Sequence, residues 1–79
     1  EFSENDFSVY PNPNNGAFIL RTDPALVNSY KIIDATGKLI SENSIETPLT
    51  KINVNVEQGV YFIQFIGKKN TISKRIVVR

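Results

Sequence analysis

The apolar residues of this 79-residue chain do not recur at the three- and four-residue spacing of a helix. They fall in short runs, broken by turn-forming residues about every 8–12 positions, which predicts strands. The clearest run is Lys51–Val56. Ile52, Val54 and Val56 share one side, and Lys51, Asn53 and Asn55 the other, so one face is expected to be buried and one wet. Val60–Ile66 differs, with Val60, Phe62 and Ile66 on one side and Tyr61, Ile63 and Phe65 on the other. A strand apolar on both sides is central in its sheet, or has one face covered by something beyond the domain.

Gly67-Lys68-Lys69-Asn70 then leads into Thr71–Val78, which reads as a hairpin. A second hairpin is expected where Asp34-Ala35-Thr36-Gly37-Lys38 joins Ser29–Asp34 to Leu39–Asn43, with the Asp opening the turn and the Gly taking a left-handed position. Upstream, Phe7–Tyr10 and Ala17–Arg21 flank Pro11-Asn12-Pro13-Asn14-Asn15-Gly16. Pro11 and Pro13 fix φ there, and Asn14-Asn15-Gly16 reverses the chain. The expected strands are therefore 7–10, 17–21, 29–34, 39–43, 51–56, 60–66 and 71–78. They predict an all-β fold, a seven-stranded antiparallel immunoglobulin-like β-sandwich, with a small closed barrel as the alternative. One domain is expected over residues 7–79, preceded at 1–6 by a tether or cloning remnant; Glu1-Phe2 is a dipeptide that a restriction site often leaves.

Composition adds a constraint. With no cysteine and no metal-ligand spacing, nothing staples so short a chain, and the core must come from Ile, Val, Leu, Phe and Tyr. No apolar run reaches the roughly 18–20 residues of a membrane helix, so direct membrane insertion is not expected. The polar, acidic start has no signal-peptide character, so any export signal is expected on another part of the parent protein. Charge is segregated: residues 1–57 hold all eight acids and four of the nine bases, and residues 58–79 hold five bases and no acid. Such a strip suits nucleic acid or anionic lipid, yet no helix or RNA-binding signature accompanies it. A solvated strand face with lysines guarding an edge is the reading taken, with no nucleic-acid partner.

The absence of His and Cys removes the commonest general base, the commonest nucleophile and the usual transition-metal ligands. The carboxylates are scattered over expected loops and strand ends, so neither an enzyme nor a cofactor or metal site is expected. Tyr10, Tyr30, Tyr61, Phe62 and Phe65 could in principle form a sugar platform, but their strand positions favour core packing.

Three segments, taken in order, carry a family resemblance. They are Val9-Tyr10-Pro11-Asn12-Pro13-Asn14-Asn15-Gly16, Tyr30–Ile40 with its Asp34-Ala35-Thr36-Gly37-Lys38, and Gln58-Gly59-Val60-Tyr61-Phe62-Ile63 followed by Ser73-Lys74-Arg75-Ile76-Val77-Val78-Arg79. The set resembles the type A C-terminal sorting domain of the Bacteroidetes type IX (Por) secretion system across residues 7–79. The resemblance implies a label that does no chemistry itself. A cargo domain fused N-terminally would cross the inner membrane by its own signal. It would then be carried from the periplasm across the outer membrane by translocon and shuttle proteins, to the cell surface or the medium, and a sortase-like surface protease would remove the label.

The residues the resemblance singles out for recognition are Pro11, Asn12, Pro13, Gly16, Gly37, Gly59, Tyr61, Lys74, Arg75, Ile76, Val77, Val78 and Arg79. Tyr61 also has a purely structural reading, a tyrosine corner whose hydroxyl bonds nearby backbone. The last hairpin, or its edge, is expected to take an added strand from the receptor, with Lys74, Arg75 and Arg79 steering by charge. The rival functions are a carbohydrate-binding or fibronectin-like accessory module of a secreted enzyme, and a passive structural spacer.

Overall fold

The computed structural model describes residues 6–79. Among these residues seven strands form: β1 (Ser8–Tyr10), β2 (Ala17–Arg21), β3 (Val27–Asp34), β4 (Leu39–Ser44), β5 (Leu49–Asn53), β6 (Gly59–Gly67) and β7 (Thr71–Val78). All strand pairs are antiparallel, in a three-stranded sheet ordered β1-β2-β5 and a four-stranded sheet ordered β4-β3-β6-β7. The inner faces of the two sheets close over one core, so the expected immunoglobulin-like sandwich is the fold. Apart from Asp6, the tether expected at residues 1–6 lies outside the described residues.

The core follows from period-two alternation. Phe18 and Leu20 of β2, Tyr30 and Ile32 of β3, Tyr61, Ile63 and Phe65 of β6, and Ile76 and Val78 of β7 all turn inward and are buried. Phe65 stacks on Phe7, just before β1, with ring centroids 4.1 Å apart. Each fully buried aliphatic or aromatic side chain of this kind contributes about 1.5–3 kcal/mol by leaving water. With no cysteine to cross-link the chain, these side chains are its principal source of stability.

Strands β2 and β7 have the expected bounds, and β6 is central, as its two apolar faces require. β5 differs: it spans Leu49–Asn53 and not 51–56. Its partner β2 begins at Ala17, which lies opposite Asn53, so the chain beyond Asn53 has no strand to pair with. A single bond from Val54 N to Gly16 O, 2.8 Å, continues the ladder. Val54 and Val56 still pack partly buried on the core. The alternation in 51–56 thus records burial, which outlasts the strand pairing that ends at Asn53.

Candidate functional site

Strand register brings the sequence motifs to one end of the sandwich. Asp34, at the end of β3, lies opposite Tyr61 near the start of β6, and Tyr61 lies opposite Ile76 near the end of β7. Gly59 lies opposite Val78. Asn14, in the β1–β2 loop, forms an isolated parallel bridge to the same Val78. The Pro-Asn loop, the Asp34–Lys38 turn, the start of β6 and the end of the last strand therefore share one end, called here the motif end.

The Pro-Asn loop is fastened to β7. Both X-Pro bonds, Tyr10–Pro11 and Asn12–Pro13, are cis. The Asn12 side-chain amide behaves as a strand's peptide group would: its Oδ1 accepts from Val77 N at 3.0 Å and its Nδ2 donates to Arg75 O at 3.2 Å. Asn14 continues the contact through its backbone, donating to Val77 O at 3.0 Å and accepting from Arg79 N at 2.8 Å. The buried Asn14 side chain braces the loop from within, with Nδ2 donating to Pro11 O at 3.1 Å and Oδ1 accepting from Gly16 N at 2.8 Å. Gly16 is required by geometry: its φ is +104°, and a Cβ there would sit 2.5 Å from Val54 O.

These bonds alter one expectation. The backbone groups of Arg75, Val77 and Arg79 that face away from β6 are, but for the Arg75 N–H, met by Asn12 and Asn14. The edge there is covered by the protein's own loop, a device that protects exposed strands from stray pairing. By alternation, Thr71 and Ser73 point their backbone groups the same way, and among the described residues nothing pairs with them. Among the described residues, then, the outer edge of β7 is covered over its second half and unpaired over its first.

The β3–β4 turn is held by Asp34. Its Oδ1 accepts from Thr36 N at 2.9 Å, Thr36 Oγ1 at 2.6 Å and Lys38 N at 2.9 Å, while Gly37 at φ +93° turns the chain. The Thr36 hydroxyl bond, followed by the Lys38 backbone bond, holds the Asp34 carboxyl below its ordinary value. Tyr61 is a tyrosine corner: its hydroxyl donates to Glu57 O at 2.7 Å, four residues upstream.

The expected recognition residues divide by position. Pro11, Asn12, Pro13, Gly37, Arg75 and Arg79 are exposed, Gly59 and Val77 are half-buried, and Gly16, Tyr61, Ile76 and Val78 are buried parts of the scaffold. Lys74 is half-buried and lies on the inward side of β7, in step with Ile72, Ile76 and Val78, so its stem extends the edge of the core. Asn14 was missed by sequence reasoning, although an Asn two residues before a Gly is the signal of a side chain that bonds its own turn. Of the aromatics weighed as a sugar platform, Tyr30, Tyr61 and Phe65 are buried. Tyr10 and Phe62 lie on the outer faces of different sheets. They cannot form one platform.

No group of three or more His, Cys, Asp or Glu side chains converges among the described residues, and no helix is long and apolar enough to cross a membrane. What the motif end presents is a braced surface of amides, prolines and bases. No curated protein matches this sequence. The sequence model of the secretion system C-terminal sorting domain matches residues 8–79, nearly the whole chain, and the chain belongs to that family.

Proposed function

We propose that the machinery of type IX secretion reads this domain as a folded object, at the motif end, and not as a linear C-terminal peptide. A sorting domain of this family directs its cargo by way of the periplasm to the cell surface or the medium. On the reading proposed here, translocon and shuttle proteins recognise the Pro-Asn loop together with β7, and a sortase-like surface protease removes the domain after export. The N-terminally fused cargo carries whatever activity the parent protein has. The observation that carries this reading is the fastening of Asn12 and Asn14 to Arg75, Val77 and Arg79, which makes two motifs more than sixty residues apart into one surface. A receptor strand that adds to the open edge at Thr71 and Ser73 would run along β7 from the far end toward the motif end, reaching Arg75 where the capped half begins.

The test is a fluorescent passenger that carries an inner-membrane export signal, joined to the whole domain and expressed in a bacterium with the type IX system. The complete fusion is expected at the surface or in the medium, and the same fusion lacking residues 71–79 in the periplasm. Retention of both in the periplasm would contradict the sorting role of this chain.

A further inference from the structure

The outer face of the four-stranded sheet is divided. Its half nearest the motif end is apolar: Phe62 lies opposite Ile33 on one side and Arg75 on the other, Ile33 lies opposite Leu39, and Val60 lies opposite Val77. Leu39 and Val60 are 50% and 37% exposed. Ile33, Phe62 and Val77 are half-buried. One row farther along, the same face is polar, with Glu42, Lys31, Gln64 and Ser73 side by side and a Lys31–Glu42 ion pair of 3.7 Å. The row beyond that holds Ser44, Ser29 and Thr71 around the single apolar Ile66.

The core does not need these five outward side chains, because Tyr61, Ile63, Phe65 and Ile76 fill it from the other side of the same strands. A solvated outer face is ordinarily polar, as the next row is. Clustering of apolar residues at one end marks a surface that is covered in use. Arg75 borders the patch beside Phe62, Lys38 adjoins Leu39, and Arg79 follows Val78; all three are exposed. The acids at this end are Asp34, whose carboxylate is engaged within its own turn, and the exposed Glu57 just before β6, so bases still outnumber acids around the patch.

We infer that this patch is a second contact surface, taken by a separate protein whose docking face is apolar with an acidic rim. Charge complementarity selects that partner. A second copy of this chain is a poor occupant, because two-fold pairing of the patch with itself brings two basic rims together. The fused cargo is poorly placed, because the chain enters β1 at Ser8, in the other sheet and at the far end from the patch. The inference rests on the sorting-domain reading, which makes the partner part of the export machinery.

The test uses the full fusion with Leu39→Asp and Val60→Asp together, and Ser44→Asp as a control for added charge on the polar end of the same face. Both substituted patch positions are substantially exposed, so the domain is expected to fold, as checked by circular dichroism and its melting curve. Export is expected to fall about tenfold or more, as when a charge must be buried against an apolar surface, with the control unchanged. A gentler pair, Val60→Thr with Val77→Thr, keeps the β-branched shape and should give a smaller loss in the same direction. If the unsubstituted fusion and the folded patch variant are exported equally, the patch inference is overturned while the sorting reading stands. If the unsubstituted fusion is not exported, both fall. Sedimentation of the unsubstituted chain should show a monomer; a dimer abolished by Leu39→Asp and Val60→Asp would overturn the choice of partner.

Discussion

Asn12 at the motif end reaches across 63 and 65 residues to the backbone of β7. At the far end of the sandwich Asp23 accepts from Ala25 N and Thr47 donates to Leu49 O, each two residues along the chain. The far-end connections are tied to their neighbours by backbone bonds, Thr22 N to Pro48 O at 2.9 Å and Ile45 N to Asn28 O at 2.8 Å. No side-chain substitution removes these, so a side chain such as Asp23 can be replaced there with little effect on the rest. A side chain of the motif-end loop cannot, because the loop's conformation and the capped edge of β7 each depend on the other. The difference teaches how a recognition surface can be built from short, individually unremarkable motifs: the bonds between them hold the information, and each motif alone is an ordinary turn or strand.

This contrast can be broken in graded steps. The largest effect is expected at Gly16. Replacement by Ala meets both a positive φ and a Cβ 2.5 Å from the Val54 carbonyl oxygen. Urea unfolding should show a loss above about 2 kcal/mol. Gly37→Ala shares the positive φ but has nothing within 4 Å, so it should lose only about 1–2 kcal/mol. Equal losses would mean that the close approach of Gly16 to Val54 is not part of what fixes the loop.

Asn14→Ala comes next. It leaves the Gly16 amide and the Pro11 carbonyl without their side-chain partner. The expected cost in the same assay is about 1–3 kcal/mol. Its far-end counterpart, Asp23→Ala, gives up an exposed bond to Ala25 N and should cost less than about 1 kcal/mol. A reversal of that order would remove the distinction between the two ends.

Much of this was open to sequence reasoning, and what was hidden has a physical cause. Short apolar runs bounded by turn-forming residues located all seven strands, because both signals are local to the residues that carry them. The Asp34 turn was legible because its donors lie within four residues of it. The end of β5 was misplaced because Val54 and Val56 remain partly buried after pairing stops. The fastening of Asn12 to Arg75 and Val77 leaves no local trace, since Pro-Asn-Pro-Asn-Asn-Gly reads as a turn whether or not it touches a distant strand. The two apolar sides of Val60–Ile66, by contrast, were plain, and they correctly allowed a central strand whose outer side also carries apolar residues.

A smaller effect follows from titration. The folded Asp34 carboxyl lies below its ordinary value of 3.8, so its contribution is complete above that pH and is withdrawn as pH falls from there through the lowered folded value. Thermal melts across this acid range should show the Asp34→Asn variant losing less stability on acidification than the parent; identical acid dependence would show that the turn is not held by the ionised form. The smallest effect is expected from Lys68→Ser with Lys69→Ser, on the exposed far-end β6–β7 connection, where stability should stay within about 0.5 kcal/mol for each substitution and export should not change.

The central claim, that the label is a folded composite of loop and last strand, is tested most directly by the passenger fusion carrying Asn12→Ala and Asn14→Ala. The terminal strand keeps every one of its residues in this variant, and circular dichroism is the check that the sandwich remains folded. The account predicts that the fusion accumulates in the periplasm. Export at the level of the parent fusion would contradict it, and would show that the last strand is read without its loop.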